Sequence, residues 1–168
     1  ASPAATLGVM DGSVTVHMNA PAEKIWDLIA NIENTGRFSP EVFEAEWLGG
    51  ATGPALGAKF RGHVRRNEIG PVYWTVCRVT ACEPGREFGF AVLGPGDRAI
   101  NNWHYRLAPA GEGTDVTESF RLNNSLPVRV FWMFAGVLRG RRNVRDMRTT
   151  LERIRKVVEE KQSPAEPH

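Results

Sequence analysis

The stretch that leaves this chain least freedom runs from Leu126 to Glu160. Apolar residues recur at Phe134, Val137, Val144, Met147, Leu151, Ile154 and Val158, steps of three, seven, three, four, three and four that hold one stripe on one side of an α-helix. Pro127 stands where a first helical turn tolerates a missing N–H, and Gln162-Ser163-Pro164 closes the pattern. At ~1.5 Å per residue such a helix is ~45 Å long. It cannot bury its own stripe and needs a broad partner, which the strands before it supply.

The first turns of this helix differ from the rest. Val128, Val130, Phe131, Trp132, Met133, Phe134, Val137 and Leu138 are apolar almost all round, whereas residues 139 to 156 carry eight basic side chains against Asp146 and Glu152. Gly136 and Gly140 lie at the junction, where each costs ~1 kcal/mol relative to Ala. Two readings stand: a core helix with a basic outer face, or opening turns that cover a cavity.

A length of 168 residues fits one domain over 1–168, with an ordered core from about 9 to 160, frayed ends and roughly 70% of the unfolded surface buried. Neither a metal nor another cofactor is expected. Net charge is +2, and the helix holds more than that, so the remainder is acidic. Nucleic-acid binding, which calls for a basic face interleaved with aromatics, is not expected. Cys77 and Cys82 are five apart on one extended run, ~16 Å, too far for a disulfide; both read as small buried hydrophobes in a reducing compartment. Ala1 to Thr6 shows no basic region before an apolar run, and no span reaches the ~20 apolar residues of a membrane helix. A cytoplasmic location is the expectation. The oligomeric state is left open.

Along the chain, Val14, Val16 and Met18 alternate with polar residues as a half-buried strand. Asn19-Ala20-Pro21 opens a helix, with Asn19 or Ala20 near the cap, Pro21 in the first turn, and Ile25, Trp26, Leu28, Ile29 and Ile32 on its buried side. Glu33 to Phe38 is a further short helix or turn. Strands follow over Glu41–Leu48, Lys59–Ile69, Val72–Cys82, Arg86–Leu93, Ala99–Leu107 and Thr114–Leu122, separated by Gly- and Pro-rich turns. Short turns make successive strands antiparallel.

A strand, two short helices, six strands and a long helix form the order of the helix-grip fold, and the sequence resembles the SRPBCC superfamily. That superfamily includes START lipid-transfer domains, pathogenesis-related pollen allergens and polyketide cyclases. The resemblance is carried by Val16 to Trp26, Phe38-Ser39-Pro40, Trp47-Leu48, Gly57-Ala58-Lys59-Phe60, Glu83-Pro84-Gly85-Arg86 and Gly113 to Ser119. It extends over nearly the whole chain and is nearest to the bacterial polyketide cyclase/dehydrase branch. It implies an α+β fold, a seven-stranded twisted antiparallel sheet wrapped round the C-terminal helix, with a space between them for apolar ligands.

Strand parity indicates the walls of that space. Val116, Glu118, Phe120 and Leu122 share one face; Trp103, Tyr105 and Leu107 face the same way, with Asn102, His104 and Arg106 outward; Phe88, Phe90 and Val92 form another rung. Parity in Val72–Cys82 is ambiguous between Trp74 with Val76 and Cys77 with Val79, which indicates a bulge or burial on both sides. The expected ligand-contacting set is Trp47, Phe60, Trp74, Phe88, Phe90, Trp103, Tyr105, Phe120, Val130, Phe134 and Val137.

Glu118 is the one catalytic candidate. A carboxylate among Val116, Phe120 and Trp103 is costly unless paired, and desolvation would lift its pKa toward the range useful for proton transfer. The alternative is a structural Glu tied to an Arg or hydroxyl, with Arg78 one such partner. His17, His63 and His104 fall on three strands at outward positions and His168 lies in the tail, so no metal-ligand spacing appears. Glu44 and Glu46 share one face of a solvated edge.

Three functions follow. The first is binding or transport of a hydrophobic small molecule, such as a lipid or polyketide, between helix and sheet. The second is a polyketide cyclase or dehydratase in which Glu118, with Tyr105 or Arg78, moves protons. The third is weak peripheral membrane contact through Arg139, Arg141, Arg142, Arg145 and Arg148 beside Phe131-Trp132-Met133-Phe134.

Overall fold

The computed structural model describes residues 11–65, 72–122 and 139–160. Seven strands make one antiparallel sheet: β1 (Asp11–Met18), β2 (Val42–Trp47), β3 (Lys59–Arg65), β4 (Val72–Glu83), β5 (Glu87–Leu93), β6 (Ala99–Ala110) and β7 (Gly113–Leu122). Their order is β1-β7-β6-β5-β4-β3-β2. Between β1 and β2, helix α1 (Ala22–Ala30) and a 3₁₀ helix (Ile32–Arg37) carry the chain from one edge to the other, and α2 (Arg139–Glu160) closes the fold. This is the expected α+β helix-grip architecture.

The α2 stripe is seated as its spacing demands. Met147, Leu151, Ile154 and Val158 are almost wholly buried, whereas Val144, the residue before them in the pattern, is exposed. Among the described residues, α2 makes its main strand contacts with β1 and β7, chiefly β1, and also touches α1. The all-apolar turns at 126–138, with Val130, Phe134 and Val137, lie outside the described residues, as do Phe131, Trp132 and Met133 named for membrane contact.

Two boundaries that matter for packing differ from the sequence expectation. The α1 N-cap is Pro21, with no side-chain cap bond. Asn19 is engaged elsewhere: its N–H donates to Glu159 Oε1 at 3.0 Å, tying the strand end to α2. Strand β6 continues through Ala108-Pro109-Ala110, so the hairpin closes over Gly111-Glu112, with Gly111 at positive φ. In β4 the ambiguity resolves into a bulge between Val79 and Ala81. Before the bulge, Cys77 and Val79 are buried with Phe60, while Trp74 is 40% exposed. The two cysteines remain free thiols.

Candidate functional site

Cross-strand register assembles the site in rungs. Phe60 pairs with Cys77, Cys77 with Val92 and Val92 with Asn101; the next rung runs Val79, Phe90, Trp103, Phe120; the next runs Cys82, Phe88, Tyr105, Glu118. Because side chains alternate along each strand, all three rungs present the same face. That face borders a cavity of about 440 Å³, closed on the other sides by α1 and the 3₁₀ helix through Ile29, Ile32, Thr35 and Phe38, and by α2 through Asp146, Met147 and Thr150.

Of the residues expected from the sequence, Phe60, Phe88, Phe90, Trp103, Tyr105 and Glu118 border this cavity together. Phe60 and Phe90 meet edge to face at 5.2 Å, giving the wall a fixed aromatic surface. Trp47 and Phe120 instead support it from the side. Trp47 packs its ring against Phe60 at 5.7 Å and Phe120 packs against Trp103 at 4.7 Å, without bordering the cavity. Trp74 borders it, yet its ring stacks on His63 at 4.1 Å, beneath the Arg61 guanidinium, on the outward face of the strand. Tyr73 and Thr75 take the inward positions that the β4 pattern left ambiguous. Asn101 also borders the cavity. One further step of the Trp103–Tyr105 parity would have found it.

Glu118 is 3% exposed. Tyr105 donates its O–H to Glu118 Oε1 at 2.9 Å, so the partner is the hydroxyl alternative and not Arg78, whose charge acts on Asp97. Oε2 is buried with no hydrogen-bond partner among the described residues, and the same is true of Asn101 Oδ1. Burial pushes the Glu118 pKa up to about 8; the Tyr105 hydrogen bond pulls it down, and the nearby charge of Asp146 pushes it up again. Burial and the Glu118 charge hold the Tyr105 phenol well above its ordinary range. Burial also raises the Cys77 thiol to about 12, which keeps it protonated and a poor nucleophile on the wall. The arrangement is an apolar chamber with one protonatable group near neutrality.

The three described histidines face away from this chamber. His17 bonds Asp115 at 2.8 Å, His63 bonds Glu44 at 2.7 Å, and His104 bonds Glu87 at 2.8 Å, each pair bridging neighbouring strands on the outer face. Among the described residues no three His, Cys, Asp or Glu side chains converge as a metal-binding group.

With this geometry in place, comparison with known proteins is informative. The family model described as polyketide cyclase / dehydrase and lipid transport matches residues 11–159. The chain belongs to that family. Among solved structures similar to this family member is the Polyketide_cyc-like protein Cgl2372 from Corynebacterium glutamicum, 25% identical, aligned over 95% of this chain and 98% of that one, with a TM-score of 0.61. The di-domain ARO/CYC StfQ from the steffimycin biosynthetic pathway gives a TM-score of 0.70 at 12% identity, over 90% of this chain and 51% of that one. Ara h 8.0201 gives 0.59 at 14% identity, over 89% and 97%. The last two likenesses are of fold alone. No curated protein matches the sequence of this family member.

Proposed function

We propose that this protein binds a hydrophobic small molecule, a lipid, polyketide or similar ring-bearing metabolite, in the chamber between the sheet and α2. The cavity carries this reading: about 440 Å³ bordered by Phe60, Phe88, Phe90, Trp103 and Tyr105, an aromatic wall among which polar side chains such as Thr75, Asn101 and Glu118 are interspersed. That is the size and character of a small-molecule pocket. Apolar area removed from water, ~25 cal/mol per Å² before ordering costs, would supply the affinity. The family description, which includes lipid transport, agrees with it. A cytoplasmic setting belongs to the same proposal, supported by the two free thiols. Native mass spectrometry and organic extraction of protein purified under mild conditions test it. A co-purifying apolar species is the expected result, and a clean apoprotein that gains no thermal stability across a lipid and aromatic-polyketide panel is the contrary one.

A second reading, a cyclase or dehydratase, is favoured by one feature, the buried Glu118 bonded to Tyr105 with its pKa raised to about 8. At neutral pH it holds its proton and serves as an acid; above about 8 it serves as a base. StfQ, a di-domain ARO/CYC, shares the fold. In this reading Glu118→Gln abolishes turnover of a polyketide substrate and the wild-type rate bends near pH 8. Undiminished turnover by Glu118→Gln rejects it.

A further inference from the structure

Two buried polar atoms without a partner among the described residues define what the cavity's occupant must carry. Glu118 lies opposite Tyr105 and Asn101 lies four residues back along β6, so the two polar groups sit two rungs apart, ~13 Å along the strand. Phe90 and Trp103 form the rung between them. Glu118 Oε2 and Asn101 Oδ1 are both buried without a partner among the described residues, and both belong to residues bordering the cavity. A buried polar atom left unpaired is unfavourable by an amount comparable to a lost hydrogen bond, so each of the two calls for a partner: a donor at Asn101 Oδ1, and at Glu118 Oε2 an acceptor while the carboxyl holds its proton or a donor once it ionises.

Building on the small-molecule reading above, we infer that the ligand is an uncharged, rigid, ring-bearing molecule with a hydroxyl at each end, one meeting Glu118 Oε2 and the other donating to Asn101 Oδ1. A hydroxyl suits Glu118 in either protonation state, because it donates to a carboxylate and accepts from a carboxyl. Among the described residues, the groups acting on Glu118 are the Tyr105 phenol and the Asp146 carboxylate. Neither offers positive charge, so a fatty acid or other carboxylate would bring a second anion into a buried acidic corner. The site thus favours polyphenol-like and diol-like ligands over free fatty acids.

A matched series of biphenyls tests this, read by displacement of the neutral fluorescent probe N-phenyl-1-naphthylamine from the wild-type protein. The members are a biphenol with a hydroxyl at each end, its dimethyl ether and the corresponding carboxylic acid. The expected order at neutral pH is biphenol tightest, by about tenfold over the ether through the Asn101 end, because a protonated Glu118 donates to a hydroxyl or an ether oxygen alike, with the acid weakest. A purely apolar chamber gives the reverse order of the two neutral compounds, since methylation adds area to bury. Asn101→Leu should reduce the biphenol-to-ether preference about tenfold, and Glu118→Leu should weaken both compounds while keeping their ratio; if either variant does not fold, the wild-type series decides alone. Equal or reversed affinities, or tightest binding by the acid, while the naphthylamine itself binds, overturn the inference and leave the cavity reading standing. Failure of the naphthylamine and every biphenyl to bind overturns both.

Discussion

Glu118 concentrates the tension between stability and use in this molecule. Its carboxyl titrates at about 8 in the folded protein against an ordinary value of 4.5. Below pH 4.5 the group is protonated folded and unfolded, and ionisation takes nothing from stability. As pH rises from there, the unfolded chain releases the proton freely while the folded chain retains it, so stability falls until the folded group ionises near 8. At ~1.4 kcal/mol per pKa unit the decline amounts to a few kcal/mol. Glu118→Gln removes the ionisation and should flatten this part of the curve, leaving the variant relatively more stable at pH 9 than at pH 4. Parallel wild-type and variant profiles of chemical-denaturation free energy would show that burial does not govern this group. Tyr105→Phe removes the only described donor to the carboxylate. It should cost about 1–3 kcal/mol at high pH and move the titration further upward, which the pH dependence of the carbon-13 shift of the Glu118 carboxyl carbon in NMR reports directly.

At the level of elements, close backbone approaches decide where the cavity walls stand. A Cβ at Gly36 would fall 2.2 Å from the carbonyl oxygen of Phe43, and one at Gly113 would fall 2.2 Å from that of Met18. Backbone cannot yield as a flexible side chain can. Gly113→Ala should separate the β1–β7 edge and cost roughly 1–3 kcal/mol or more in urea denaturation. Gly36→Ala should push the 3₁₀ helix away from β2 and, because Ile32, Thr35 and Phe38 border the cavity, weaken probe binding as well as stability. Gly53→Ala, where an added Cβ meets open space, is the control and should leave both unchanged within about 0.5 kcal/mol. These elements were unequally legible. Strands and α2 declared themselves through period, and the inward sets of β5, β6 and β7 followed from alternation. Trp74 borders the cavity as expected, but the stacking of its ring on the cross-strand partner His63 was not legible before the register was known. The contribution of Ile32, Thr35 and Phe38 was hidden because a short polar-rich turn carries no periodic sign of the side on which it folds. Glu118 was legible from parity alone, but its hydroxyl partner emerged only with the β6–β7 register.

For the molecule as a whole, the described part of α2 packs along the β1–β7 side of the sheet, and residues of β3 to β6 border a chamber. No helix among the described residues is long and apolar enough to cross a membrane. Function then rests on what the chamber admits, which a single inward position can test. Thr75 stands on β4 beside Gly62 and borders the cavity; tryptophan there keeps a strand-compatible residue while filling the space. The decisive measurement is a fluorescence titration of N-phenyl-1-naphthylamine against the wild-type protein and Thr75→Trp, each first shown to be folded by circular dichroism. Saturable one-to-one binding by the wild type, lost or weakened at least tenfold in Thr75→Trp, is the predicted result; no saturable binding by the wild type, or equal binding by both, contradicts a ligand-holding interior.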